Sequence, residues 1–318
     1  MTDFWLVSSR VAGVFLVMVA GAVGRKLNWL TSESDRSLAK LTANVLLPAL
    51  FFHRIVTSST FDSLTASWLP PLLGFGFTCL GFAVGAVVAW TIGPWIGLRN
   101  EAARRSFAFC AGIANYGYIP LPLAESFYPD AVVTLMVHNV GVDVAMWSVG
   151  VLVLSGAIKQ EWKRALFSPP LIAVIAALFL RQTGWAESCP KPFLQLSESL
   201  GQAAIPLGLV LGGAIILDYL KLAQWRENVS AVIAAVVVRQ LLLPILMLLF
   251  ATLVSLEQSM AQVLLLQAAM PAATFPIVMV RLFQQDTETA LRTVLGTSLL
   301  GIVTIPLWMS FGHQMLFP

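Results

Sequence analysis

Long apolar runs separated by short polar connectors dominate the chain. Ten of them approach the roughly 20 residues that a helix needs to cross a hydrocarbon core. They cover residues 4–24, 41–56, 68–92, 106–127, 132–158, 169–183, 197–216, 229–253, 260–280 and 290–311, the second and sixth being short. None alternates apolar and polar positions with the period of two that a membrane barrel needs, so helices are the expected spanning solution. The pattern predicts an all-α integral membrane protein with ten transmembrane helices.

Composition agrees. Only 11% of the 318 residues are charged and 58% are hydrophobic, against about 25% charged in a soluble domain. Too few polar residues remain to coat a water-facing surface. A net charge of +3 and no basic run longer than two residues exclude nucleic-acid binding. Cys79, Cys110 and Cys189 show no metal-ligand spacing. The start, Met1-Thr2-Asp3, lacks the basic region of a secretory signal, so the first run is read as a retained span. Of the 19 Lys and Arg residues, fourteen fall in odd-numbered connectors and three (Arg54, Arg181, Lys191) in even-numbered ones. Cytoplasmic loops carry the excess of basic residues. Both termini are therefore expected outside the cytoplasm, with the protein in the cytoplasmic (inner) membrane.

Ten spans divide into five and five, and a half with an odd number of spans repeats with inverted orientation. Pro48 and Pro206 lie 158 residues apart, Pro122 and Pro276 154, and Trp147 and Trp308 161. All three spacings are near half the chain. The fourth run contains Asn115-Tyr116-Gly117-Tyr118-Ile119-Pro120-Leu121-Pro122, and the ninth contains Gln267-Ala268-Ala269-Met270-Pro271-Ala272-Ala273-Thr274-Phe275-Pro276. Proline removes a helical hydrogen bond, and in hydrocarbon such breaks survive where they are buried or line a cavity. Interrupted spans at matching places in two inverted halves point to a transporter's binding site. Half-helix N-termini there are expected to offer free N–H groups to an anion. The candidate substrate site is thus Asn115, Tyr116, Pro120 and Pro122 with Gln267, Pro271, Thr274 and Pro276. The plain alternative is ordinary proline kinks, which are frequent in membrane helices.

An ionisable group at mid-membrane costs about 2.5–3.5 kcal/mol or more, so each needs a reason. Asn115 either contacts substrate or caps the broken helix. Asp143 is a proton or sodium relay or a brace between spans, and His138 reads more simply as a brace. His53 reads as a structural or interfacial histidine. Arg239 either partners helix-end carbonyls or Asp143, or attracts an anion. Arg10 is expected to snorkel outward.

These breaks and their surroundings resemble the auxin efflux carrier family, which includes the plant PIN-type carriers and bacterial permeases for organic acids. The likeness runs over nearly the whole chain. It is carried by Leu47-Pro48-Ala49-Leu50-Phe51-Phe52-His53, the Asn115 to Pro122 spacing, and Leu135-Met136-Val137 followed by Trp147. Val238-Arg239 followed by Pro244, and Gln267-Ala268-Ala269 before Pro271 and Pro276, complete it. The resemblance implies a bile acid symporter-like fold of two inverted five-helix repeats, residues 1–158 and 169–318, joined by a short cytoplasmic connector at 159–168. Helices 1, 2, 6 and 7 would form a scaffold and homodimer contact. Helices 3–5 and 8–10 would form a mobile transport domain in which broken helices 4 and 9 cross. It also implies that Asn115 contacts a substrate carboxylate. The plant carriers have a long loop between spans 5 and 6 that is absent here. Their Asn-Pro-Asn at the start of span 6 reads Ser168-Pro169-Pro170 in this chain, which points to a small carboxylate more than to auxin itself.

The leading expectation is a secondary, elevator-type transporter of small organic anions, carboxylates or auxin-like acids, with possible H⁺ or Na⁺ coupling. No cofactor, metal or catalytic residue is expected. An intramembrane enzyme would have to rely on His53, His138 and Asp143, since no HExxH or GxSxG pattern is present. A ligand sensor on the same fold is the third reading.

Overall fold

The computed structural model describes residues 4–58, 68–155, 168–222 and 229–317. The expected connector at 159–168, apart from Ser168, lies outside them, as do residues 1–3, Ile158 and Arg226. Among the described residues the chain forms twelve helices: α1 (Phe4–Lys26), α2 (Ser32–Val56), α3 (Leu69–Thr91), α4 (Glu101–Gly112), α5 (Pro120–Phe127) and α6 (Pro129–Ser155). They continue as α7 (Pro169–Gln182), α8 (Lys191–Leu222), α9 (Val229–Leu253), α10 (Gln258–Ala269), α11 (Pro276–Leu282) and α12 (Thr287–Leu316).

Seven of these, α1, α2, α3, α6, α8, α9 and α12, are long and apolar enough to cross a membrane. The 23 residues of α1 reach about 35 Å at 1.5 Å per residue. The three other runs expected to span are shorter as helices. α7 has 14 residues, and the fourth and ninth runs are each split in two, into 12 and 8 residues and into 12 and 7. Trp5, Trp29, Trp68, Trp95 and Trp185 are exposed and stand at or just beyond helix ends, the level at which indole rings settle at a membrane boundary. The protein is an all-α integral membrane protein.

Local chemistry sets the helix ends and their irregularities. Asn100 caps α4 by accepting the Ala103 N–H at 2.7 Å, and Asp286 caps α12 by accepting from Glu288 and Thr289. The π-turns Thr42–Leu46 in α2 and Val238–Leu242 in α9 each precede a proline by two residues, Pro48 and Pro244. Proline has no N–H for the carbonyl four residues back. In α9 that carbonyl belongs to Gln240, and Trp308 Nε1–H donates to it at 2.7 Å.

α1 packs along α8, and α2 against both α7 and α8. α3 lies along α4 and α6, while α9 and α10 pack on α12, which also meets α4 and α1. The α3–α4 contact is backbone to backbone: a Cβ on Gly81 would fall 2.0 Å from the Gly112 carbonyl oxygen. Arg25, 7% exposed, ties the end of α1 to Asp35 at the start of α2 and, at 3.0 Å, to Asp218 near the end of α8.

Candidate functional site

The two split runs meet each other. α4 ends at Gly112, and Ile113 is extended (φ −107, ψ 127); α10 ends at Ala269, and Met270 is extended (φ −77, ψ 141). The strand-like segments run antiparallel, with Ala114 opposite Ala272. Asn115 N–H donates to the Pro271 carbonyl at 2.7 Å, and Ala273 N–H to the Ile113 carbonyl at 3.1 Å. The two bonds satisfy backbone groups that the broken helices leave open. The two donors, 115 and 273, and the two acceptors, 113 and 271, each stand 158 residues apart, the same spacing that links Pro48 and Pro206. Pro271 lies inside the second break. Pro120 and Pro276 each open the half-helix that follows, a position that suits proline because its missing N–H is no loss there. Pro122, matched to Pro276 by spacing, sits two residues into α5; the proline that opens α5 as Pro276 opens α11 is Pro120.

The expectation of free N–H groups at these half-helix starts is not met. Pro120, Pro122 and Pro276 have none to give. The Asn115 Oδ1 accepts from Ile119 at 3.4 Å, and Leu121 N–H donates to Gly117 at 3.0 Å. On the other side Ile277 donates to Thr274 and Val278 to Phe275. The prolines that break the helices also delete donors, and turns engage the N–H groups of Ile119, Leu121, Ile277 and Val278.

A single buried cation joins the opposite ends. Arg239, 3% exposed, donates from Nη1 to the Gly112 carbonyl at 3.5 Å and from Nη2 to the Gln267 carbonyl at 3.3 Å. These are the C-terminal turns of α4 and α10, where the helix dipole is negative. Its partners are helix-end carbonyls rather than Asp143. Next to it runs an amide network. Asn139 Nδ2 donates to the Tyr116 carbonyl at 2.7 Å, and Gln267 Nε2 reaches the same carbonyl and Asn139 Oδ1, both at 3.4 Å. His138 Nδ1 faces Asn139 Oδ1 at 3.4 Å. A pocket of about 20 Å³ behind the crossing is lined by Ala114, His138, Arg239 and Gln267.

In front of the crossing lies a cavity of about 260 Å³. Its walls are Asn44, Leu47 and Phe51 of α2, residues 115–118 of the first break, and Asn139, Asp143, Met146 and Trp147 of α6. Ser168, Pro169 and Pro170 at the start of α7, with Ala273, Thr274 and Phe275 of the second break, close it. No Lys, Arg or His lines it. Asp143 accepts a hydrogen bond from the Tyr116 hydroxyl at 2.7 Å. A second cavity, about 660 Å³, lies beyond the first turn of α5 between α1, α2, α5 and α8. Arg10, His53, Arg54, Pro122, Glu125 and Glu198 line it, so Arg10 faces an internal vestibule as well as its surroundings. His53 Nδ1 approaches the Leu194 carbonyl at 3.2 Å, tying α2 to α8. Tyr118 lines the smaller cavity, its ring against Gly208 of α8, where a Cβ would fall 2.0 Å from Cε1.

Of the residues expected from sequence, the structure brings Asn115, Tyr116, Asp143 and Thr274 to the 260 Å³ cavity. Gln267, His138 and Arg239 stand behind the crossing, and Pro122 and His53 in the larger vestibule. The wall also holds Asn44 and Asn139, which sequence reasoning did not single out, and Ser168, named there only as a departure from the plant Asn-Pro-Asn. Asn139 had a legible signal, the one amide-bearing residue of the fifth apolar run, beside His138.

Comparison with known proteins adds two findings. A family described as "membrane transport protein" matches the chain in two stretches, residues 6–157 and 154–309. An "uncharacterized transporter" of Methanothermobacter thermautotrophicus is 22% identical over 309 residues, covering 95% of this chain and 97% of the relative.

Proposed function

Because the chain belongs to the membrane transport protein family, that of the auxin efflux carriers, and is a membrane transporter rather than an enzyme, we propose that it is a secondary carrier for small organic acids working by alternating access. The observation that carries this reading is the 260 Å³ cavity at the crossed breaks, mostly apolar with a few convergent polar groups. That is the make-up of a small-molecule site, just under the roughly 300–1,000 Å³ typical of drug-sized ligands. Asn115, with its Nδ2 group, and the Thr274 hydroxyl are the donors for a carboxylate; Trp147, Phe275 and Leu47 hold its carbon skeleton. Gln267, Pro271, Pro120 and Pro276 shape the site from behind.

In this reading α7 and the two split runs also cross the bilayer, making ten spans in two inverted repeats. Helices α1, α2, α7 and α8 are the scaffold and the dimer contact. Helices α3–α6 and α9–α12 carry the site past it, as an elevator. The excess of basic residues in the odd connectors supports placing both termini outside the cytoplasm of the inner membrane. The 260 Å³ cavity then opens toward the cytoplasm and the vestibule with Arg10 toward the outside.

The test is counterflow into proteoliposomes preloaded with malonate, malate or indole-3-acetate, with no ion gradient, for the wild type and Asn115→Ala. Exchange of one acid by the wild type, reduced at least tenfold in the variant, supports carrier and site together. No exchange of any acid by folded wild-type protein sinks the organic-acid reading.

A further inference from the structure

The wall of the substrate cavity offers no side-chain cation to an anion. Among the described residues no Lys, Arg or His lines it. The N–H groups at the starts of α5 and α11 are absent, being prolines, or already donate within their own turns. The buried Arg239 lies on the far side of the crossing, committed to the Gly112 and Gln267 carbonyls. What the cavity does contain is a carboxyl group. Asp143 is half-buried in its wall, and its hydrogen bonding among the described residues consists of one bond accepted by Oδ1 from Tyr116. Oδ2 is left without a donor.

An organic anion entering this space meets a second carboxylate in a low-dielectric wall. Two carboxylates that share such a site do not both stay ionised; they hold one proton between them. Resting on the organic-acid reading above, we propose that Asp143 is the proton-coupling residue of this carrier. Each acid molecule occupies the cavity with one proton bridging its carboxylate and Asp143, and that proton travels with it. Tyr116 holds Asp143 in place from the other oxygen. The proton is bound with the acid on one side of the membrane and released with it on the other, so the transported species carries one negative charge fewer than the free anion.

The other titratable groups near α6 face elsewhere. On α6 itself His138 points into the small pocket beside Arg239. On α2 and α5, His53, Arg54 and Glu125 line the vestibule; on α7, Arg181 donates to the Val56 carbonyl; on α4, Arg105 donates to Val153 and pairs with Glu101. Cys79 on α3 does not line the cavity. Tyr118 does line it.

The experiment uses proteoliposomes with labelled malonate or malate and a pH dye in the outer medium. The wild type is expected to alkalinise the medium by one proton per acid taken up beyond buffer equilibration, and to accumulate acid under an inward proton gradient. In Asp143→Asn, whatever counterflow exchange remains is expected to carry neither the dye signal nor gradient-driven accumulation; Asp143→Glu is expected to keep exchange and both signals. Acid movement by the wild type without proton movement overturns the proposal, as does undiminished proton movement by Asp143→Asn. If Asp143→Asn fails to exchange at all, proton movement by both wild type and Asp143→Glu supports the proposal, and its absence from either overturns it. A wild type that exchanges no acid in counterflow overturns the organic-acid reading instead, which separates the two failures.

Discussion

Arg239 is the residue on which the geometry of the crossing depends most. Its charge sits where two half-helices end, and the carbonyls of Gly112 and Gln267 have no solvent to turn to. Arg239→Met preserves much of the volume and leaves both carbonyls behind. A buried polar group deprived of its partner costs about 1–3 kcal/mol, so the variant is expected to unfold several degrees below wild type in detergent and to lose most counterflow. An unchanged Tm would mean that the carbonyls are satisfied without the guanidinium. From sequence, Arg239 was already legible as a partner for helix-end carbonyls, because a cation inside an apolar span needs acceptors and broken helices supply them. Which carbonyls they were was not legible. That depended on the π-turn at Val238–Leu242, which turns the side chain toward α4 and α10 and follows from Pro244 two residues beyond it.

At the scale of elements, the prolines announced where the helices stop but not what the stops offer. Reading Pro120, Pro122 and Pro276 as breakers was sufficient to locate α5 and α11. Reading them as makers of free N–H groups does not hold at those three positions, because the residue that ends a helix this way is also the one that lacks the donor. The backbone pairing of Ala114 with Ala272 had no signal of its own; it follows from two extended segments being forced past each other in a place without water. Such a crossing needs close support, and α3 gives it through Gly81 against the Gly112 carbonyl. A methyl group there, 2.0 Å from backbone oxygen, forces α3 away from the last turn of α4 and loosens the carbonyl that Arg239 holds. Gly81→Ala is therefore expected to cost about 1–3 kcal/mol, the range for overpacking a tight contact. Thermal unfolding reads that loss, and it should not add to that of Arg239→Met in the double variant, since the two share a partner. Full additivity would show that the helix contact and the cation act separately.

For the whole molecule, apolar run lengths carried the all-α membrane character, seven of the ten expected runs forming helices long enough to cross among the described residues, because a bilayer sets a minimum length for any helix that spans it. The division into a fixed and a moving part is a proposal, and one contact tests it directly. Arg54 at the end of α2 pairs with Glu125 near the end of α5 across the vestibule. With side chains 46% and 32% exposed, such a pair contributes at most about 1 kcal/mol to stability. Its interest lies in where it stands. It joins a helix assigned to the scaffold to the half-helix that begins at the first break, so an elevator must separate the two on every cycle. Arg54→Cys and Glu125→Cys, combined in a background lacking Cys79, Cys110 and Cys189, allow a short thiol-to-thiol cross-linker to span the pair. Before reaction the double variant should exchange acid close to the wild-type rate, given how little an exposed ion pair contributes. After reaction exchange should cease, and cleaving the linker should restore it. Continued exchange with α2 and α5 covalently joined would mean that the site opens to each side in turn without moving past the scaffold, by rocking or local gating about a stationary crossing.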